Sequence, residues 1–402
     1  MSLHRFRLSV ALAFATQGFV FISITTRLPD IKDRWHFSSL EVSASLLAVV
    51  LLAGAGSVAA ETLAARSDSA LILRIGLAGI GVGMPLVVAA PSIAVYWPGI
   101  VVYGLALGVV DAATNMQAVA LEHRYGRPIL PSFHGAWTFG GLVGAGLTVL
   151  TSSLSLPLAS TALIAIVPLG AAAARYLPRV QAGTPVTAST PEAAPEAALG
   201  IPWRPILLVG LGMVVFYMVD TACQTWGAVY LDDVFGAPAR WVALATLPYL
   251  LASLVIRLAG DSVVARYGAV PVLRIGAVVA CAGLAVVVFA PTWPVAVLGF
   301  TVIGLGISVV APLSFSAAGR IATGEDGDAH RERIDAVIAR FNQFNYVGAL
   351  LGAVLTGVVG SGELRFGFVI PMVLVLALLP LARHFAAVTA GTSRPLATSE
   401  EA

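Results

Sequence analysis

The chain has 402 residues, of which 58% are hydrophobic and 11% charged, against about 25% charged in an ordinary soluble domain. That composition describes a membrane protein and speaks against a soluble catalytic domain. The 23 basic and 21 acidic residues leave a net charge of only +2, so nucleic acid is not expected as a partner.

Apolar segments of about 20 residues, each long enough to cross a bilayer as a helix, alternate with clusters of charge and proline. Their approximate limits are 8–28, 39–61, 71–90, 93–119, 131–151 and 154–176, then 204–231, 239–260, 271–290, 293–318, 335–359 and 364–385. The first is not followed by a small-residue cleavage site and reads as a retained span rather than a removed leader. The expected fold is an all-α membrane protein with twelve transmembrane helices in two pseudo-symmetric six-helix bundles, 1–177 and 204–386. A Pro-, Ala- and Thr-rich connector, 178–203, has a composition that cannot bury a core, and 387–402 reads as a flexible tail.

The two bundles carry a repeat at one ungapped offset of 200 positions. Ala65-Arg66 returns as Ala265-Arg266, Leu73-Arg74-Ile75-Gly76 as Leu273-Arg274-Ile275-Gly276, and Ala90-Pro91 as Ala290-Pro291. Gly104-Leu105 and Val109-Val110 return as Gly304-Leu305 and Val309-Val310. A shared offset across so many short matches indicates duplicated halves.

Charges inside the spans are the informative residues, because an ionised side chain at the bilayer centre costs about 2.5 to 3.5 kcal/mol. Asp111 lies roughly 16 Å from Glu122 along a helix, and Asp220 roughly 18 Å from Asp232, so both are expected near mid-membrane. In the fourth span Gly104, Gly108, Asp111 and Asn115 share one stripe. Tyr217, Asp220, Gln224 and Gly227 form another in the seventh. The repeat sets these acids apart, since positions 311 and 20 hold Ala and Val. Gln17, Trp226, Asn342, Gln343, Asn345 and Tyr346 could line the same cavity, Trp226 by stacking on a ring, or could serve as interhelical hydrogen bonds. His134 opens the fifth span as a pH sensor or an interfacial anchor. Gly140-x-x-x-Gly144 and Gly348-x-x-x-Gly352 have the spacing of close helix packing, and are candidates for surfaces that rock. Cys223 and Cys281 fall in apolar segments and read as packed thiols.

Orientation follows from the basic residues. Only Arg27, Lys32, Arg34, Arg240 and Arg365 of the 23 lie on the side opposite the termini and connector, so the positive-inside rule places both termini in the cytoplasm.

Twelve spans in two repeated halves, with a cytoplasmic connector, resemble the major facilitator superfamily. The resemblance implies a midplane cavity between halves that rock against each other. Arg257-Leu-Ala-Gly260-Asp261, followed by Arg266-Tyr-Gly268, is similar to that superfamily's signature loop. The equivalent stretch from Glu61 to Arg66 is degenerate. By this resemblance Glu61, Arg66, Arg257, Asp261 and Arg266 form a cytoplasmic latch, the alternative being plain helix-end anchors.

Gly108-Val-Val-Asp111-Ala-Ala-Thr-Asn115 resembles the acidic-xxx-Asn pattern in the fourth helix of fucose-permease-like sugar symporters and their bacterial inner-membrane relatives. Glu122, Arg127-Pro128 and Ser132-Phe133-His134 continue the likeness, as does Asp220-Thr-Ala-Cys-Gln-Thr-Trp226 in the seventh span. Gln17, Thr221 and Thr225 depart from it, so sugar specificity does not transfer. What it implies is proton coupling, for which Asp111 is the candidate carboxylate, with Asn115 orienting it or binding substrate and Asp220 as a second protonation site or the charge partner of a cationic substrate. Burial agrees with this, since desolvation favours an uncharged carboxyl.

The resulting expectation is a secondary transporter of a small polar solute in the bacterial inner membrane, working as a monomer and driven by the proton gradient without a cofactor. Its alternative is a proton-driven exporter of drugs or metabolites. A non-transporting receptor has nothing to recommend it, and no phosphate-cradling loop suggests an ATP-driven pump or an enzyme.

Overall fold

A computed structural model describes residues 3–64, 67–125, 129–155, 166–173, 203–323 and 343–386. The first half runs α1 (Leu3–Thr25), a short polar α2 (Leu28–Trp35), α3 (Ser39–Ala64), α4 (Ser69–Val88), α5 (Ile93–Tyr125), α6 (Leu130–Leu150) and α7 (Ile166–Ala173). The second runs α8 (Trp203–Phe235), a 3-10 segment Ala239–Ala245, α9 (Leu247–Tyr267), α10 (Ala269–Val288), α11 (Trp293–Ile307) and α12 (Val310–Thr323). It ends with α13 (Gln343–Val359) and α14, the span Leu364–Phe385. Among the described residues nine helical stretches are long and apolar enough to cross a membrane, α11 and α12 counting as one. With α6, α7 and the shorter α13 in the three remaining places, the fold has twelve spans, six in each half. The connector 178–203, apart from Trp203, and the tail 387–402 lie outside the described residues, as do most of span 154–176 and the start of span 335–359.

Local chemistry sets the helix limits. Asp68 caps α4 by accepting from the Ala70 amide at 3.0 Å. Gly268 joins α9 to α10 at φ 82°, a backbone conformation for which glycine is the default residue. Pro312 cannot donate to the Ser308 carbonyl, and the tenth span breaks between α11 and α12 at Ser308 and Val309.

The repeat survives in three dimensions. A methyl added to Gly104 would sit 2.7 Å from Leu52 Cβ, and one added to Gly304 would sit 2.5 Å from the Tyr249 carbonyl and 3.3 Å from Ala252 Cβ. Positions 49 and 52 are the repeat partners of 249 and 252, so α5 packs on α3 as α11 packs on α9. Outward positions repeat too, with Ile75 exposed by 59% and Ile275 by 65%. These match lipid-facing sites on equivalent helices.

The two Gly-x-x-x-Gly motifs pack inside the halves. Gly140 and Gly144 lie against the backbone of α1 at Ala15 and Phe19, and Gly348 and Gly352 against α8 at Val214 and Met218. This agrees with their reading as structural packing devices and not with the further suggestion of rocking surfaces. They fix α6 to α1 and α13 to α8.

Candidate functional site

Two hydrogen-bonded carboxylates mark the middle of the bundle. Gly104 and Gly108 turn toward α3, and Asp111, one turn on, is half-buried and faces α1 and α13. Its Oδ1 accepts from Gln17 Nε2 at 3.2 Å and its Oδ2 accepts from the Tyr346 hydroxyl at 2.8 Å. Gln17 belongs to the first half and Tyr346 to the second, so this acid ties the halves together. Asn115, expected to orient the carboxylate, donates instead to the Asp111 backbone carbonyl at 2.9 Å.

Asp220, on α8, accepts at Oδ1 from the hydroxyl of the fully buried Tyr249 on α9. Gln224, one turn along α8, is a further hydrogen-bond partner, and the charge of Arg257 reaches the carboxylate. Tyr217, one turn earlier, lies in the fields of Asp220, Arg257 and Asp111. The two acids and their partners therefore form one polar centre between the halves, which joins Tyr217 and Gln224 of the second stripe with Gln17 and Tyr346. Asn345 is half-buried, and Asn342 lies outside the described residues.

Two expected residues are placed differently. Trp226 is fully buried, with its indole N–H on the Ala353 carbonyl at 2.7 Å. The π-helical stretch Leu351–Leu355 spans that carbonyl, and the ring packs beside Gly357. This tryptophan is held by α13 and is not free to stack on a solute. Arg257, expected in the latch, is the eleventh residue of the 21 in α9 and donates from Nη1 to Thr138 Oγ1 on α6 at 2.9 Å. Helix α9 continues to Tyr267, seven residues beyond the apolar segment, which moves Arg257 to its midpoint. Arg266 stays at the helix end, exposed, with its guanidinium 5.4 Å from the Tyr267 ring centre. Arg66 and the side chains of Glu61 and Asp261 lie outside what is described. His134 sets its ring edge-on to Phe14 at 5.5 Å, one turn from Thr138 and within the field of Arg257.

Tyr249 and Thr138 are functional-site residues that the sequence reading missed. Tyr249 was findable, since its repeat partner is Val49 and the unmatched polar residue is the same signal that marks Asp111. Thr138 gives no such signal, because its role depends on how α6 meets α9.

The halves also meet on the side where α2 lies. Lys32 of α2 pairs with Asp233 at the end of α8, and Gly357 of α13 packs against Ser43 of α3. Arg27 is buried and anchors this corner, reaching Asp30 at 3.2 Å and Thr151 Oγ1 at 2.6 Å. Partly exposed ion pairs contribute at most about 1 kcal/mol. Lys32→Ala is therefore expected to raise the reactivity of a cysteine placed at Ser43 toward a membrane-impermeant thiol reagent by a measurable factor, up to about fivefold. An unchanged labelling rate would show that the pair does not hold this side shut.

No family model matches the chain. An uncharacterized transporter from Sinorhizobium fredii is 28% identical over 316 residues, covering 77% of this chain and 81% of that protein. An uncharacterized MFS-type transporter from Yersinia pestis is 26% identical over 383 residues, covering 92% and 94%. In fold, the nucleoside transporter NupG superposes with a TM-score of 0.73 at 14% identity, over 94% of this chain and 99% of that one. FucP, a major facilitator superfamily transporter solved in the outward conformation, gives a TM-score of 0.62 at 17% identity, over 95% and 99%.

Twelve spans in two repeated halves with a polar centre between them give the chain the fold of these solved transporters, and its relatives at 26% to 28% identity are described as transporters, one of them of the MFS type. FucP, whose branch the stretch from Gly108 to Asn115 resembles, shares this fold.

Proposed function

We propose that this protein carries a small polar solute, sugar-like in size, across the bacterial inner membrane by alternating access, with a proton coupled through Asp111. The observation that carries this reading is the mid-span carboxylate held by Gln17 of one half and Tyr346 of the other. A hydrogen bond to an ionised carboxylate is about twice as strong as a neutral one. Ionised Asp111 thus clasps the halves, and a proton on it loosens the clasp and frees them to rock. Two fold neighbours, a nucleoside transporter and a fucose:proton symporter, support a polar solute and a proton. The connector side is taken as cytoplasmic from the basic residues. No cofactor is required, because a potential of 100 mV contributes about 2.3 kcal/mol per proton moved.

The experiment is uptake into proteoliposomes under an imposed pH gradient, using a solute found by thermal stabilisation of the purified protein. Accumulation with inward proton flow supports symport, and efflux against inward proton flow identifies the exporter instead. Tyr346→Phe removes one charge-assisted bond of about 1.5 kcal/mol and is expected to let the halves rock without a proton, lowering gradient-driven accumulation and its rate about tenfold while leaving counterflow exchange intact. A rate unchanged from wild type would separate the tyrosine from coupling.

A further inference from the structure

The polar centre holds a cation that proton coupling through Asp111 does not use. Arg257 stands at the midpoint of α9, reaches across to Thr138 with Nη1, and has its Nε buried without an acceptor. Among the described residues it forms no ion pair. Asp220 lies within its field while bonding to Tyr249 instead. The titratable groups around it are Asp220 and Tyr217 on α8, Tyr249 on its own helix and His134 on α6, with Asp111 on α5 reaching Tyr217.

Charge balance indicates what this arrangement binds. With both acids protonated and His134 neutral, Arg257 is an uncompensated positive charge in a poorly solvated site, which favours an anion. With Asp220 ionised, the guanidinium already has its counter-charge nearby. One cation matches one negative charge, that of a carboxylate, rather than the nearly two of a phosphate monoester. The planar guanidinium fork also fits a carboxylate in two-pronged geometry.

We propose that Arg257 binds the carboxylate of an acidic, sugar-sized solute, in competition with Asp220. Protonated Asp220 leaves the guanidinium to the solute, and ionised Asp220 takes it back and releases the solute. The proposal rests on the proton-coupled reading above and narrows its substrate class. It also makes Thr138 the group that gives up Arg257 when solute arrives, which links binding to the contact between α6 and α9.

The test is thermal stabilisation of the purified full chain by the uronic and aldonic acids of the common hexoses, each compared with its parent hexose, at pH 5.5 and 7.5. At least one acid is expected to bind more tightly than its parent at pH 5.5 and about tenfold more weakly at pH 7.5. Arg257→Gln should abolish that binding, and Asp220→Asn should bind the acid at pH 7.5 as tightly as wild type does at pH 5.5. Should Arg257→Gln fail to give folded protein, the pH dependence in Asp220→Asn decides. Equal binding of acid and parent, binding retained in Arg257→Gln, persistent pH dependence in Asp220→Asn, or no binding by any acid would each overturn the assignment. If one of these occurs while Asp111→Asn still uncouples transport, only the carboxylate assignment falls.

Discussion

Asp111→Asn is expected to abolish solute accumulation driven by a pH gradient while leaving counterflow exchange within about threefold of wild type. Asparagine keeps the size of the side chain and one carbonyl oxygen, so either Gln17 or Tyr346 can still donate to it. What it loses is the proton site. A carrier without that site can still shuttle solute down its own gradient, but it has no means of drawing on the proton gradient. Losing the 2.3 kcal/mol or so that 100 mV supplies per proton reduces the attainable accumulation about fiftyfold. Paired measurements of uptake and counterflow in the same vesicles read the split. Gradient-driven uptake that survives in Asp111→Asn places coupling elsewhere, with Asp220 the next candidate.

Gly108→Val is expected to prevent recovery of folded protein, and Gly108→Ala to lower the melting temperature by several degrees. A Cβ at position 108 would lie 1.8 Å from the Ala53 carbonyl oxygen and 2.7 Å from Ala53 Cα. Those are backbone atoms, so no rotamer change relieves the clash, and α5 must move away from α3. Overpacking of this kind costs about 1 to 3 kcal/mol, occasionally more. The shift would also displace Asp111, one turn along, from both of its hydrogen-bond donors. Gly54→Ala in α3 is the control, because a methyl there meets nothing within 4 Å. It should be neutral or slightly stabilising, as alanine is favoured over glycine in a helix by about 1 kcal/mol. Equal melting temperatures for Gly54→Ala and Gly108→Ala would show that the close approach of α5 and α3 is not under strain.

Much of this scaffold is legible in the sequence because hydropathy and duplication report on burial directly. Ile75 and Ile275 face outward together, and Gly104 and Gly304 pack on equivalent helices, because equal offsets place them at equal environments. The same repeat, used as a filter, singles out Asp111 and Asp220 as residues where the halves differ. Other features were hidden for identifiable reasons. A stripe of small and polar residues does not say which neighbour each residue meets, so Gly108 and Asp111 appeared to share a face that the fold divides between α3 and α13. The eighth span opens with the 3-10 segment from Ala239 and its helix runs on to Tyr267, so Arg257 lies ten residues before the helix end, where it bonds across the halves to Thr138. Trp226 carries both an apolar ring and a donor, and only the Ala353 carbonyl in the π-helical stretch shows which of them is used. The bond between Arg257 and Thr138 joins helices 119 positions apart, a pairing that no local pattern encodes.

The central claim is that Asp111 takes up and gives up a proton, and infrared difference spectroscopy of the purified protein between high and low pH tests it without any solute. Wild type should show a protonated-carboxyl stretching band that grows as the pH falls, and in Asp111→Asn that band should be smaller by the Asp111 component, with the Asp220 component kept. A band of equal size in the two proteins would contradict the account.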